Sequence, residues 1–136
     1  MKKIKVVTGK IGLDDHYRGI ISVTDAMRNA GMEVVYLGTG QRIDGVINTL
    51  VQEDAEVIGL SFLCGGHIEI MTKFINKLKE ANLDHIVSVI GGIIHPNEIP
   101  QLNEIGVTGV FLPGTPTKDI VEFVQKEVEQ RRAIKQ

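Results

Sequence analysis

The chain has 136 residues, 43% of them hydrophobic, one cysteine and a formal net charge of -2. Length and apolar content fit one globular domain over residues 1–136 with its own core, and the balanced charge, free of long like-charge runs, excludes a nucleic-acid footprint. The lone Cys64 excludes an internal disulfide framework and fits a reducing cytoplasm, while the longest apolar runs are strand-sized and too short to span a membrane.

"MKKIKVV" leads into the first apolar run with no secretory core, so a soluble, cytoplasmic protein is expected. Five runs rich in Val, Ile and Leu predict strands at 4–8, 33–37, 56–63, 86–90 and 109–112. Helical periodicity fills the gaps. Ile20, Val23, Met27 and Ala30 mark the apolar face of a first helix, stopped by Gly31; Val46, Ile47, Leu50 and Val51 mark a second. Ile70, Met71, Phe74 and Leu78 give a third, Pro96 and Gly106 bound a short fourth, and Ile120, Val124 and Val128 give a fifth. Strands that are apolar throughout are covered on both faces. The expected fold is therefore α/β, a five-stranded parallel doubly wound sheet of flavodoxin-like type.

Ligands of such sheets sit outside the carboxyl ends of the strands. The loops there are "GKIGLDDHYRG", "GTGQRID", "CGGH", "GGIIHP" and "PGTPT", and they gather His16, His67, His95 and Cys64 with most of the glycines. Neither GxxxxGK[ST] nor a GxGxxG between strand and helix occurs, so a nucleotide-phosphate cradle is not supported. A phospho-acceptor site would draw on Asp14 and Asp15 but lacks an aspartate at the end of the third strand, where Ser61 and Leu63 stand. The three histidines and Cys64 are suitable zinc ligands, yet their local spacing matches no zinc motif.

A further possibility uses His16 as a ligand. Asp14, two residues before it, can bond one ring nitrogen and leave the other free for a metal, and Lys10 can hold Asp14 ionised. Asp14 is equally suited to cap the helix that starts near Tyr17, leaving His16 a solvated turn residue. On the triplet alone the plainer reading holds. Ser61, Gly65, Gly66, Gly91 and Gly92 at the ends of two adjacent strands favour an occupant, because small residues leave space between sheet and helix.

"DDHYRG" (14–19, ending on Gly19), "SFL" (61–63) and "GG" (91–92) fit DxHxxG, SxL and GG in order. The set resembles the cobalamin-binding domain of adenosylcobalamin-dependent mutases and methionine-synthase-like corrinoid proteins. Over nearly the whole chain, segments such as "AMRNAGMEVVYLGTGQ" and "NEIGVTGVFLPGTP" look most like the C-terminal domain of methylmalonyl-CoA mutase and the separate small subunits of related acyl-CoA mutases.

The resemblance implies that His16 is the lower axial ligand of cobalt, displacing the cofactor's dimethylbenzimidazole, with Asp14 and Lys10 behind it. It implies that Ser61 and Leu63 line a slot for the displaced nucleotide tail, that Gly91 and Gly92 let the tail pass, and that Phe111, Gly114 and Thr115 close around its far end. Asp15 departs from the glycine usual in the mutase relatives. The implied function is radical carbon-skeleton isomerisation with adenosylcobalamin, shared with a large catalytic subunit that carries a substrate-binding barrel. A glutamate-mutase-type small subunit and a corrinoid methyl carrier share the motif and stay open; carriers of that kind usually have a helical bundle ahead of the first strand.

Overall fold

The computed structural model describes residues 2–12, 18–62 and 66–135. Strands β1 (Lys5–Gly9), β2 (Glu33–Tyr36), β3 (Val57–Phe62), β4 (Val87–Gly92) and β5 (Gly109–Phe111) alternate with helices α1 (Arg18–Asn29), α2 (Ile43–Glu53), α3 (His67–Glu80), α4 (Ile99–Ile105) and α5 (Thr117–Lys135). All neighbouring strands pair in parallel, in the order β2-β1-β3-β4-β5. The expected five-stranded doubly wound sheet is the observed one.

Alternation along each strand divides the core in two. Val7, Ile58, Leu60, Phe62 and Ile90 point to one face, where Leu50, Met71, Phe74, Leu78 and Leu102 of α2, α3 and α4 cover them. Val6, Val57, Val87 and Val89 point to the other, beneath Met27 of α1 and Val121, Val124 and Val128 of α5. Central strands are buried on both sides, which is why they read as continuous apolar runs.

Several expectations about helix faces shift in detail. Val51 is 57% exposed, because α2 turns Val46, Ile47 and Leu50 inward instead. Ala30 is exposed beyond the end of α1, and the buried residues of that helix are Ile20, Thr24 and Met27. In α3 the inward face carries His67 and Ile75, with Ile70 only half-buried. Gly91 and Gly92, expected after the fourth strand, belong to β4 itself.

At the edge where the strands begin, α5 is strapped across the sheet. Arg132 forms a two-pronged pair with Glu56, Nε to Oε2 at 2.7 Å and Nη2 to Oε1 at 2.5 Å, and donates through Nη1 to the Lys2 carbonyl at 3.0 Å. Arg131 donates to the His85 carbonyl at 2.7 Å. The Arg132 guanidinium, through these hydrogen bonds, holds the Glu56 carboxyl below the usual glutamate range. A carboxyl depressed in the folded state contributes stability at neutral pH that is lost as pH falls through its folded value.

Glu56→Gln should therefore lower stability at pH 7 by about 1 to 2 kcal/mol. In urea melts across pH, the wild-type advantage should shrink once pH drops below the ordinary glutamate value of 4.5. An advantage that grows in acid would contradict the pairing.

Candidate functional site

The carboxyl ends of β1, β3, β4 and β5 face α1 and the start of α5 across a cavity of about 650 Å³. Strand register arranges its floor in rows. In the upper row Ser61 pairs with Gly91, and Gly91 with Phe111. Lys10 follows β1 beside them: Gly9 is in register with Leu60, and Lys10 Nζ donates to the Ser61 carbonyl at 3.1 Å and approaches its hydroxyl at 3.5 Å. In the next row Thr8 pairs with Gly59, and Gly59 with Val89. Below them lies a row of valines, Val6, Val57 and Val87, packed under the helices.

Sheet faces in this fold are normally filled by branched side chains. Here the upper rows offer serine and two glycines, so the wall that α1 and α5 would otherwise touch is set back. Lys10 is 1% exposed, and a buried ammonium is tolerated only with hydrogen-bonding partners around it. Its bonds to Ser61 join the ends of β1 and β3. Phe111 forms the side of the cavity by β5, braced edge-on against Phe123 with ring centroids 5.3 Å apart. Gly114 and Thr115 follow, and the Thr115 hydroxyl donates to the Leu112 carbonyl at 2.7 Å, holding that turn.

Of the residues singled out from the sequence, Lys10, Gly19, Ser61, Gly91, Gly92, Phe111, Gly114 and Thr115 line this one cavity. Asp14, His16, Leu63 and Gly65 lie outside the described residues, as do Asp15 and Cys64. Sequence reasoning missed Gly59, Ser22, Val23 and Ile120, which also line it. The signal for Gly59 was present in "VIGLSF", a glycine inside an apolar strand and two residues from Ser61, hence on the same face.

The glycines divide by physical role. Gly92 has φ +123°, and a Cβ there would fall 1.6 Å from the Phe62 carbonyl oxygen, which also accepts the Ile93 N–H at 3.0 Å. The backbone itself demands glycine at 92. Gly91 has no such constraint: a Cβ would meet only the Phe111 carbonyl oxygen at 3.4 Å, and at Gly19, inside α1, it would meet nothing within 4 Å. Both positions lie on the cavity wall.

The other two histidines of this edge are engaged elsewhere. His67 is buried at the start of α3, its ring edge-on to Phe62 with centroids 6.2 Å apart and Nε2 2.8 Å from Glu98 Oε2. That approach falls short of hydrogen-bond geometry, and Nδ1 has no hydrogen-bond partner among the described residues. The His67 contact is the main reason the Glu98 carboxyl sits below its usual range. His95 Nδ1 accepts from the Asn97 N–H at 3.2 Å, capping the 3-10 turn Pro96–Glu98. Neither histidine lines the cavity, and among the described residues no group of three His, Cys, Asp or Glu is placed to hold a metal. No helix among them is long and apolar enough to cross a membrane.

Comparison with known proteins adds a family. The family described as B12 binding domain matches residues 4–122. The chain is 40% identical over 132 residues to the pivalyl-CoA mutase small subunit of Xanthobacter autotrophicus, covering 97% of this chain and 88% of that one. It is 34% identical over 130 residues to the 2-hydroxyisobutanoyl-CoA mutase small subunit of Aquincola tertiaricarbonis, covering 96% of each. Among solved structures, a cobalamin-binding protein from Desulfitobacterium hafniense superimposes with a TM-score of 0.80 at 22% identity, over 93% of this chain and 60% of that one.

The glycine roles predict an ordered stability series. Gly92→Ala should cost roughly 3 kcal/mol or more, and Gly91→Ala less than about 1 kcal/mol. Gly19→Ala should change stability by less than about 0.5 kcal/mol, since Gly19 stands in the first turn of α1 and a Cβ there meets nothing within 4 Å. Urea unfolding of the three variants checks the order, and a neutral Gly92→Ala would contradict it.

Proposed function

The chain belongs to the B12-binding domain family, and from that membership we propose that residues 1–136 form one cobalamin-binding domain serving as the small subunit of an adenosylcobalamin-dependent acyl-CoA mutase. The observation that carries this reading is similarity over nearly the whole chain: the relatives that match over 97% and 96% of it are mutase small subunits. The cavity supports it independently. A floor of serine and glycine, open where α1 and α5 would otherwise pack, fits a slender tail inserted between sheet and helices.

When bound, adenosylcobalamin supplies a cobalt–carbon bond whose homolysis starts the carbon-skeleton rearrangement, and the chain supplies binding, orientation and shielding. His16 would hold the cobalt in place of the cofactor's own base, and Asp14, two residues before it, would bond its other ring nitrogen, fixing the tautomer and raising its basicity. Lys10, which donates to the Ser61 carbonyl, would lie against Asp14 and hold it ionised. Ser61, Gly19, Gly91, Gly92, Phe111, Gly114 and Thr115 line the cavity; on this reading Ser61 bonds the tail, Gly91 and Gly92 let it pass and Phe111, Gly114 and Thr115 close around its far end, with Leu63 and Gly65 as the further cofactor-binding positions. The substrate is a CoA thioester held by a separate large subunit with a substrate-binding barrel.

Two experiments test the reading. Electron paramagnetic resonance of reduced cobalamin bound to ¹⁵N-labelled chain, with and without a large mutase subunit, should show a nitrogen splitting that changes from triplet to doublet with the label. The label dependence should vanish in His16→Ala; a triplet indifferent to protein labelling would refute axial ligation. Ser61→Leu fills the upper row and should weaken cobalamin binding roughly ten-fold or more, and an unchanged affinity would place the tail elsewhere.

A further inference from the structure

Gly59 has no conformational reason to be glycine. Its φ lies outside the left-handed region, and a Cβ built there meets Thr8 Cγ2 at 3.4 Å and Val89 Cγ2 at 3.7 Å, ordinary contacts that alanine tolerates. Glycine inside a central strand forgoes packing and costs conformational entropy. What it provides is depth, because it lies one row below Ser61 and Gly91 on the cavity wall, about 7 Å further along the strand.

The same row is closed on either side. Toward β1, the Thr8 hydroxyl is bonded to the Thr24 hydroxyl of α1 at 2.7 Å, both groups buried. Toward β5, a Cβ on Gly109 would lie 2.6 Å from Phe123 Cε1, so the phenylalanine ring already fills that space. Between the threonine pair and Val89 the floor drops only over Gly59, and the valine row ends it below.

We infer that Gly59 sets the depth of the slot and makes the protein selective for the size of the base that ends a corrinoid's nucleotide tail, admitting a bicyclic base. The inference rests on the cobalamin-binding reading above. A methyl at this position shortens the slot without touching the edge where the corrin ring would lie, so the penalty falls on the tail base alone. Shape exclusion of this kind discriminates by one or two orders of magnitude.

The test is spectrophotometric titration of the full chain, wild type, Gly59→Ala and Gly59→Val, with three corrinoids: hydroxocobalamin, a corrinoid with a single-ring phenolic base, and cobinamide, which has no base. Gly59→Val should weaken hydroxocobalamin roughly ten-fold or more, weaken the phenolic corrinoid less and leave cobinamide unchanged, with Gly59→Ala between it and wild type. Equal weakening of all three, or an unchanged hydroxocobalamin affinity, would overturn the inference. Wild-type chain that binds none of the three would refute the cobalamin reading itself, whereas wild-type binding with a flat variant series removes only the role of Gly59.

Discussion

The sheet face beneath α1 and α5 is packed with valines at its lower end and nearly bare at its upper end. The change occurs within two rows of one parallel register, from Val6, Val57 and Val87 to Thr8 and Gly59 and then to Ser61 and Gly91. Close packing of helix on sheet is the main source of cohesion in this fold, so a face that withholds side chains forfeits stability that a ligand filling it would restore. Ligand binding to the native state alone adds about 2.7 kcal/mol at a hundred-fold excess over Kd.

The remaining architecture compensates for that opening. Across the sheet, Phe62, Met71, Phe74 and Leu78 are buried together in one apolar cluster. At the opposite edge Arg132 and Glu56 tie α5 to the chain just before β3, and Arg131 ties it to the segment before β4. The helix is thus tied down at its carboxyl end, while Thr117 and Ile120 near its start line the cavity. Phe123 and Phe111, edge to face, mark the transition between the packed and open halves of its contact.

The α/β alternation was legible in the sequence because buried parallel strands are continuous apolar runs and the helices keep their period. Helix faces were less so: Val51 satisfies the α2 pattern but faces solvent, since three residues per two turns suffice to cover the sheet there. The motifs, and the family resemblance they carry, pointed to Lys10, Ser61, Gly91 and Phe111, which line one cavity, but could not assign roles to neighbouring glycines. Gly91 and Gly92 are adjacent in sequence, yet only the approach of the Phe62 carbonyl makes the second obligatory. Gly59 passed unnoticed because depth below a strand end depends on register with Thr8 and Val89, which pairing partners far along the chain decide.

The most direct test of a tail-binding slot is the glycine region of the ¹H–¹⁵N correlation spectrum during titration with diamagnetic hydroxocobalamin. The amide signals of Gly19, Gly59 and Gly91, all on the cavity wall, should move or exchange as the cofactor binds, while Gly31 and Gly106 at the opposite edge stay in place. Saturable binding that leaves Gly59 and Gly91 unmoved would contradict insertion between the sheet and α1 and α5.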